Sequence, residues 1–203
     1  APLKGHEFYR AARNVGGEFI QISPASKNCI NIMEIRKVDN SVNELLDGPT
    51  LDASALAGKI QRLHIFFSLL IPDMSHEEKQ LLDEALIKTY ARKGITHKNE
   101  SLTDPQHPEQ YKKMPILEDV YNVLLESEDT KRLAHILNRL VHGSASSFNQ
   151  QTNVDLTNKY TVLDISELTG SSDLLTVGMF VALDYVWDCL LYTSPSPRDR
   201  SLS

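Results

Sequence analysis

The sequence predicts an α/β domain whose parallel sheet is interrupted by a bundle of helices. Short extended patterns occur at 18–22 and at 160–165, one near each end of the interpretable chain. Between them, apolar residues recur at helical spacing in four stretches within residues 53–142. A helical domain inserted between two strands of a parallel sheet produces this order of elements.

Composition and charge exclude several classes of protein. The chain has 203 residues, of which 41% are hydrophobic and 24% charged, and its formal net charge is -6. This is typical of a soluble globular domain and argues against a protein that coats nucleic acid, although it leaves room for a local basic groove. No stretch approaches the roughly 18–20 uninterrupted apolar residues of a membrane span. Cys29 and Cys189 form no C-x-x-C motif, which favours a reducing, cytoplasmic location without a disulfide framework.

Residues 1–52 are predicted to form the first α/β segment. Helix-forming residues over 7–15 end at a glycine pair that begins at Gly16, the left-handed stop that helices favour. A strand pattern over 18–22 follows and ends at a Ser-Pro pair. Alternating apolar positions over 28–35 predict a second short extended piece.

Residues 53–142 are predicted to be an all-α insertion. Its second helix begins with a capping box, in which the side chains of Ser75 and Glu78 each satisfy a backbone N–H group of the other residue, and it ends before Gly94. A polar, proline-containing loop at 97–113 precedes the third helix. The predicted helices span 53–71, 75–92, 115–125 and 130–141.

Residues 143–188 are predicted to resume the α/β segment. The Ser-, Asn- and Gln-rich stretch at 144–158 indicates an exposed loop or hairpin, and 160–165 indicates a buried strand. A helix is predicted over 173–188. Asp164 at the strand end is either a Mg²⁺ ligand or a turn-forming residue, and the pattern favours the turn.

Residues 189–203 are predicted to be a non-native, disordered tail. They are rich in Ser, Pro and Arg and cannot form a core. The stretch resembles the translated adapter read-through found at the ends of some metagenomic gene predictions, the alternative being a genuine disordered linker. The chain also starts at Ala1, in helix-forming sequence without an initiator Met. We therefore expect a fragment whose native sequence continues differently after Asp188.

The chain contains no complete catalytic motif. None of its nine glycines begins the G-x-x-x-x-G-K-[S/T] loop that cradles phosphates. The H-E-x-x-H zinc pattern fails at Gln80, and the serine-rich stretch after Gly143 is not G-x-S-x-G. Cys29 is predicted to be a small buried hydrophobe. Catalytic, cofactor-binding and metal-ligating residues are therefore not predicted within the chain.

A basic side on the last helix of the insertion is the candidate contact surface. Lys131, Arg132 and Arg139 lie on it, together with His135 and His142. Cations placed there suit a nucleic-acid backbone or the acidic face of a partner. The alternative is a solvated face whose cations stabilise the helix C-terminus, and this is the more common occurrence.

Five segments carry a resemblance to a known family. They are 14–28 (NVGGEFIQISPASKN), 30–35 (INIMEI), 66–78 (FFSLLIPDMSHEE), 148–156 (FNQQTNVDL) and 160–168 (YTVLDISEL). In this order and spacing they resemble the conjugative-transfer ATPase family of type IV secretion systems, in the branch typical of Gram-positive mobile elements. The resemblance extends over most of the chain, up to Asp188.

The resemblance implies a RecA-like P-loop NTPase sheet with an all-α insertion. Such ATPases work as hexamers or related assemblies at the cytoplasmic face of the bacterial membrane, with secretion-channel subunits as partners. The intact protein is expected to use ATP and Mg²⁺. By this resemblance the phosphate-binding loop lies upstream of Ala1 and the Mg²⁺-binding acidic strand follows Asp188, so the piece alone is expected to be inactive.

Two other functions stay open. The insertion is alternatively a helical docking module that recruits a channel subunit or a relaxase, with no role for hydrolysis. A DNA-pumping motor of the coupling-protein or FtsK-like type is the third hypothesis, and in it Arg132 and Arg139 contact DNA directly.

Overall fold

A short parallel sheet joins the two ends of the described chain. The computed structural model describes residues 4–24, 26–36, 54–154 and 160–193. Strand β1 (Glu18–Gln21) pairs in parallel with β2 (Thr161–Asp164), and Glu18 lies opposite Thr161 in the register. The two strands are neighbours although the helical elements separate them in sequence, as the order of sequence patterns predicts.

Helix α1 (Lys4–Asn14) packs against both strands. Gly16, with a φ of 70°, ends the helix in the left-handed conformation that a glycine adopts without strain. Tyr9 meets Phe19 of β1 edge-on, with ring centroids 5.4 Å apart. A Cβ at Gly17 would lie 2.6 Å from the carbonyl oxygen of Tyr160, so the second glycine is needed for the close approach of the two chain segments. The predicted helix, glycine stop and strand are all confirmed.

Four helices form the middle of the molecule: α2 (Ala55–Leu70), α3 (His76–Arg92), α4 (Leu117–Leu124) and α5 (Lys131–Val141). The predicted capping box is present: the amide of Glu78 donates to Ser75 Oγ at 3.1 Å, and the amide of Ser75 donates to the Glu78 carboxylate at 2.8 Å. Gly94, with a φ of 70°, follows the end of α3. Fully buried side chains of different helices make the shared core, among them Leu63, Phe67, Leu86, Leu124 and Leu137.

Residues 28–35, predicted to be a second short extended piece, do not join the described sheet as a strand. They run as an irregular, buried segment in which Ile30, Ile32 and Met33 all contribute to the core. The alternation of apolar residues therefore reflects burial of the segment on more than one side, and not hydrogen bonding to a neighbouring strand. Side chains from distant segments take the place of a neighbouring strand, since the amide of Cys29 donates to Asn153 Oδ1 at 2.7 Å and the amide of Asn31 donates to Thr152 Oγ1 at 3.0 Å.

The stretch from 144 to 154 differs from the predicted exposed loop or hairpin. It contains a 3-10 turn (Ser146–Phe148), and Phe148 and Asn149 are buried. Polar residues are tolerated inside because they are hydrogen-bonded there: Ser147 Oγ donates to the carbonyl of Ser23 at 2.7 Å, and Asn149 Oδ1 accepts from the amide of Glu118 at 2.8 Å. Residues 155–159 of this prediction lie outside the described residues.

The last helix, α6 (Ser172–Thr193), is longer than predicted. It follows a 3-10 helix (Ser166–Gly170) and continues five residues beyond the expected stop at Asp188. No glycine or proline occurs between Asp188 and Thr193, so the backbone chemistry contains no signal that ends the helix there. The rest of the predicted tail, 194–203, lies outside the described residues. Within the described ranges, no helix is both long and apolar enough to cross a membrane.

Candidate functional site

A buried ion cluster joins α2 to α6. It consists of Arg36, Lys59, Arg62, Asp184 and Asp188. Lys59 and Arg62 are three residues apart on α2, and the two aspartates are four residues apart on α6, so each pair faces the same way on its helix. The facing pairs meet where α2 and α6 pack together.

The contacts within the buried ion cluster are short and shared. Lys59 Nζ lies 3.2 Å from Asp184 Oδ2, and Arg62 Nη1 lies 3.1 Å from Asp184 Oδ1 and 2.6 Å from Asp188 Oδ1. Arg36 Nη1 reaches the other oxygen of Asp188 at 3.1 Å. Each aspartate therefore binds two cations, which is how two charged carboxylates are accommodated in a buried interface.

Arg36 extends the cluster to the irregular segment and to the residues after the 3-10 turn. Its guanidinium pairs with Glu34 at 2.8 Å and lies 4.0 Å from the ring centroid of Tyr185. Glu34 in turn accepts a hydrogen bond from Thr152 Oγ1 at 2.5 Å. With Glu34 included, three cations face three carboxylates, so the assembly is formally neutral.

Burial determines the electrostatics of the cluster. The side chain of Lys59 is 1% exposed, and this desolvation lowers its pKa, while the Coulombic attraction of Asp184 opposes the change. For Arg62, desolvation also lowers the pKa, but the hydrogen bond to Asp188 and the charge of Asp184 outweigh it, so that the pKa is raised overall. Among the described residues no buried side-chain nitrogen or oxygen lacks a hydrogen-bond partner. Every cation of the cluster faces at least one carboxylate, and the ion pairs connect α2 to α6.

A second set of contacts ties the helices to the irregular segment. Lys59 Nζ donates to the carbonyl of Ile32 at 3.2 Å, and Tyr90 Oη donates to the carbonyl of Met33 at 2.5 Å. Burial raises the pKa of Tyr90 well above its usual range, so the phenol stays protonated and acts as a donor. Two carbonyls of the segment, which have no ladder partner, are satisfied by side chains of α2 and α3.

A polar cavity of about 670 Å³ opens beside this segment. Most of its polar groups already bond to the protein: Ser147 to the carbonyl of Ser23, and Asn153 Nδ2 to the carbonyl of Lys27. Burial raises the pKa of the Cys29 thiol and so favours its protonated form, and the residue is the buried small side chain that the sequence predicts. The cavity lining is Ser26, Lys27, Cys29, Ser146, Ser147, Gln150, Gln151 and Asn153.

The predicted basic side of α5 is largely neutralised by neighbouring carboxylates. Arg132 binds Asp73 at 2.5 Å and Glu78 at 2.8 Å, and Lys131 pairs with Glu128. His142 faces Glu118, with Nε2 3.3 Å from Oε1.

Arg139 has a different environment from Arg132. It donates to Ser171 Oγ at 3.3 Å, and no carboxylate lies within 4.0 Å of it in the described part of the chain. A contact of Lys131, Arg132 and Arg139 with nucleic acid or a partner stays a prediction.

Asp164 is a turn-forming residue. Its Oδ1 accepts a hydrogen bond from the amide of Ser166 at 3.0 Å, the side-chain turn that the sequence favours over a Mg²⁺ site. Across the described ranges, no three His, Cys, Asp or Glu side chains are grouped so as to hold a metal ion.

The buried ion cluster was not predicted from the sequence. The signal was present, because Lys59 and Arg62 alternate with the core residues Leu56, Ile60 and Leu63 on one apolar helix. A charge on the inward side of an apolar helix indicates a buried partner. Which residue is that partner depends on the packing of α6, 125 positions away from Lys59.

Comparisons with known proteins support one relationship. No protein-family model matches the chain, and no curated protein matches it. Among solved structures, the chain is similar to VirB4 of Thermoanaerobacter pseudethanolicus, with 25% sequence identity and a TM-score of 0.73. The match covers 90% of this chain and 65% of that chain, so this chain spans less than two thirds of the length of that structure. The chain therefore has a VirB4-like fold.

Proposed function

We propose that this chain is part of an ATPase that energises conjugative DNA transfer or type IV secretion. The observation that carries the proposal is the similarity to VirB4 over 90% of the chain at a TM-score of 0.73. The resemblance of the five sequence segments to the conjugative-transfer ATPase family supports the same function. The parallel pairing of β1 and β2 around the helices is compatible with a RecA-like sheet that carries an all-α insertion.

The proposal assigns ATP and Mg²⁺ to the intact protein and no hydrolysis to this piece alone. The chain has no G-x-x-x-x-G-K-[S/T] loop, and backbone N–H groups of such a loop with its Lys are what hold the phosphates in a P-loop enzyme. In this scheme the phosphate loop precedes Ala1 and the acidic Mg²⁺ strand follows Asp188. The intact protein forms a hexamer at the cytoplasmic face of the membrane and acts with secretion-channel subunits.

Within such an ATPase, the buried ion cluster holds the helical insertion in a fixed orientation on the α/β part. Its cations Lys59 and Arg62 belong to α2 of the insertion, whereas Asp184 and Asp188 belong to the α/β part. Each aspartate binds two cations, so rotation of α2 relative to α6 breaks several buried ion pairs at once. The buried ion cluster therefore favours movement of the insertion and α6 as one rigid body.

The test compares ATP hydrolysis by this chain with hydrolysis by the product of the longer reading frame, cloned from the source DNA. We expect phosphate release from the longer product only, and its loss when the Lys of the phosphate loop is changed to Ala. A longer frame without a phosphate loop, or hydrolysis that the Lys variant leaves intact, contradicts the proposal. Hydrolysis by the 203-residue chain itself contradicts the assignment of an inactive piece.

The environment of Arg139 favours direct contact with DNA as a second candidate function. Its guanidinium meets a hydroxyl and not a carboxylate in the described chain, so its charge is available to a phosphate. The test is the binding of duplex DNA at low and high salt by the chain and by the Arg132→Ala plus Arg139→Ala variant. Salt-dependent binding that the double variant loses supports a DNA-pumping motor. An absence of binding at low salt leaves the docking and secretion functions of the insertion.

A further inference from the structure

The polar cavity beside the irregular segment is positively charged. Lys27 is the one charged residue among the described residues that line it, and these include neither a carboxylate nor an aromatic ring. The chain as a whole has 27 acidic residues against 21 basic ones, so the charge of the cavity is opposite in sign to that of the molecule. A concave site with a cation and no anion favours a negatively charged ligand.

The ammonium group of Lys27 is available to such a ligand. Lys27 is exposed, and its side chain forms no ion pair with any residue in the described ranges. Other lysines of the chain are neutralised, as Lys88 is by Glu126 and Lys93 by Asp119. A charged donor without a carboxylate partner can form charge-assisted hydrogen bonds with an incoming anion.

Two further polar groups of the cavity are unused. The hydroxyl of Ser146 and the side-chain amide of Gln150 are exposed in the cavity lining and form no hydrogen bond within the described part of the chain. Together with Lys27 they offer an ammonium, a hydroxyl and an amide NH₂ group, all of which donate. The oxygens of an ionised phosphate group accept, so the three groups match its chemistry.

The backbone that carries Lys27 is held in place on both sides. Ser26 Oγ and Asn28 Nδ2 both donate to the carbonyl of Gln21, at 2.9 Å and 3.0 Å. Asn153 Nδ2 donates to the carbonyl of Lys27 itself at 2.6 Å. The loop is therefore ordered by the fold before any ligand arrives, which reduces the entropy that binding has to overcome.

The topology places the cavity where parallel sheets bind ligands. Gln21 is the last residue of β1, so the loop with Lys27 leaves the carboxyl end of a strand that pairs in parallel with β2. Open α/β sheets bind their ligands in crevices outside the carboxyl ends of their strands. The position of the cavity is thus an argument for a ligand that does not depend on the charge of its lining.

We propose that this cavity binds the phosphate groups of a small polar ligand, either a polyphosphate or the phosphate chain of a nucleotide. Lys27 supplies the cation, and Ser146 and Gln150 supply hydrogen-bond donors. The volume of about 670 Å³ lies within the usual size of small-molecule sites. The inference goes beyond the proposed function, because such binding requires neither a P-loop nor hydrolysis.

Single-stranded nucleic acid is a weaker candidate for the ligand. Proteins that bind it combine a positively charged groove along the backbone with aromatic side chains on which the bases stack. Among the described residues, the lining of this cavity has a single cation and no aromatic ring. The lining therefore suits phosphate groups and hydroxyls better than stacked bases.

The experiment is isothermal titration calorimetry of the 203-residue chain at low salt, with inorganic pyrophosphate and with ATP as probes. The variant is Lys27→Met, and the matched control is Lys98→Met, since Lys98 is also exposed, has no ion pair in the described ranges and lies outside the cavity lining. We expect Lys27→Met to weaken pyrophosphate binding about tenfold or more, the effect of losing one charge-assisted hydrogen bond. Lys98→Met is expected to bind like the unsubstituted chain.

The two probes distinguish the sources of the phosphate. Binding of both, with the same loss in Lys27→Met, supports a nucleotide, whereas binding of pyrophosphate alone supports a polyphosphate. Binding of neither probe overturns the proposal, and so do equal losses in the two variants. Binding of a single-stranded oligothymidylate that pyrophosphate does not displace overturns it in favour of nucleic acid. None of these results depends on ATP hydrolysis, so they leave the test of the proposed function separate.

A second measurement needs no substitution. Exposed lysines are acetylated with an N-hydroxysuccinimide ester and the modified positions are read by mass spectrometry, with Lys98 as the control within the same sample. Saturating pyrophosphate is expected to slow acetylation of Lys27 severalfold and to leave that of Lys98 unchanged. Equal rates at Lys27 with and without pyrophosphate overturn the proposal.

Discussion

The buried ion cluster and the ion pairs on the outside of the helices use the same side chains in opposite surroundings. In the cluster, Arg62 binds Asp184 and Asp188, whose side chains are 5% and 4% exposed. On the surface, Arg132 binds Asp73 and Glu78, and the side chain of Asp73 is 75% exposed. The distances are similar, so bond length does not distinguish the two sites.

The difference lies in what happens when one partner is lost. A surface carboxylate leaves behind a cation that water solvates, and salt already screens the pair. A buried carboxylate leaves behind a cation that has neither water nor a partner. The distance between the charged atoms therefore says little about how much stability an ion pair of this protein contributes. Burial of the carboxylate determines how much stability is lost when the pair is broken.

The largest effect is expected for Asp184→Ala. This substitution leaves Lys59 buried without its carboxylate and should lower the free energy of unfolding by about 3–5 kcal/mol, the usual result of breaking a buried pair from one side. Urea unfolding followed by circular dichroism measures it. The control is Asp173→Ala at the exposed start of α6, where loss of a helix-dipole contact amounts to less than about 1 kcal/mol. Equal effects of the two substitutions would remove the distinction between buried and exposed pairs.

Lys59→Met should destabilise less than Asp184→Ala, because Arg62 still pairs with Asp184 at 3.1 Å. Its pH dependence is the sharper observation. Burial lowers the pKa of Lys59 below its ordinary value of 10.5, so the folded protein releases this proton before the unfolded chain does. Between the lowered pKa and 10.5 the unfolded state binds more protons, and the Lys59 contribution to stability rises with pH.

The free energy of unfolding of the unsubstituted chain is therefore expected to rise relative to that of Lys59→Met as the pH increases from neutral towards 10.5. Parallel stability profiles for the two proteins would show that Lys59 has no lowered pKa.

A smaller effect is expected for Tyr90→Phe, which leaves the buried carbonyl of Met33 without its donor. An unsatisfied buried acceptor costs about 1–3 kcal/mol. Tyr121→Phe is the matched control, since Tyr121 is half-buried and its hydroxyl makes no hydrogen bond within the described residues; a change of at most about 0.5 kcal/mol is expected there. Differential scanning calorimetry of both variants tests this. Equal thermal midpoints for the two variants would show that the hydrogen bond from Tyr90 to the irregular segment does not stabilise the fold.

The smallest effect is expected for Asp73→Ala. Its carboxylate is exposed, and Arg132 keeps its second partner, Glu78. Stability should be unchanged within the error of urea unfolding, at low and at high salt alike. A clear loss of stability that is equally large at high salt would place this surface pair in the same class as the buried one.

Local signals in the sequence located the regular elements well. Gly16 and Gly94 end their segments at positive φ, and the reciprocal Ser75 and Glu78 cap is formed, since each signal depends only on residues within one turn. The course of residues 28–35, predicted only as a short extended piece, escaped the sequence for the opposite reason. Their carbonyls and amides are satisfied by side chains of α2, α3 and the 151–154 region, and no local pattern encodes such partners.

The sequence by itself determined the approximate ranges of the helices apart from the end of α6, that the chain has no phosphate loop, and that two strand patterns flank a helical middle. These properties depend on backbone preferences and on apolar spacing, which act over a few residues. Only the tertiary structure decided that Lys59 meets Asp184, 125 residues further along the chain, and that α6 shows one apolar side to the core and another to the outside. A buried charge needs a partner of opposite sign, but its identity follows from how the helices pack and not from distance along the chain.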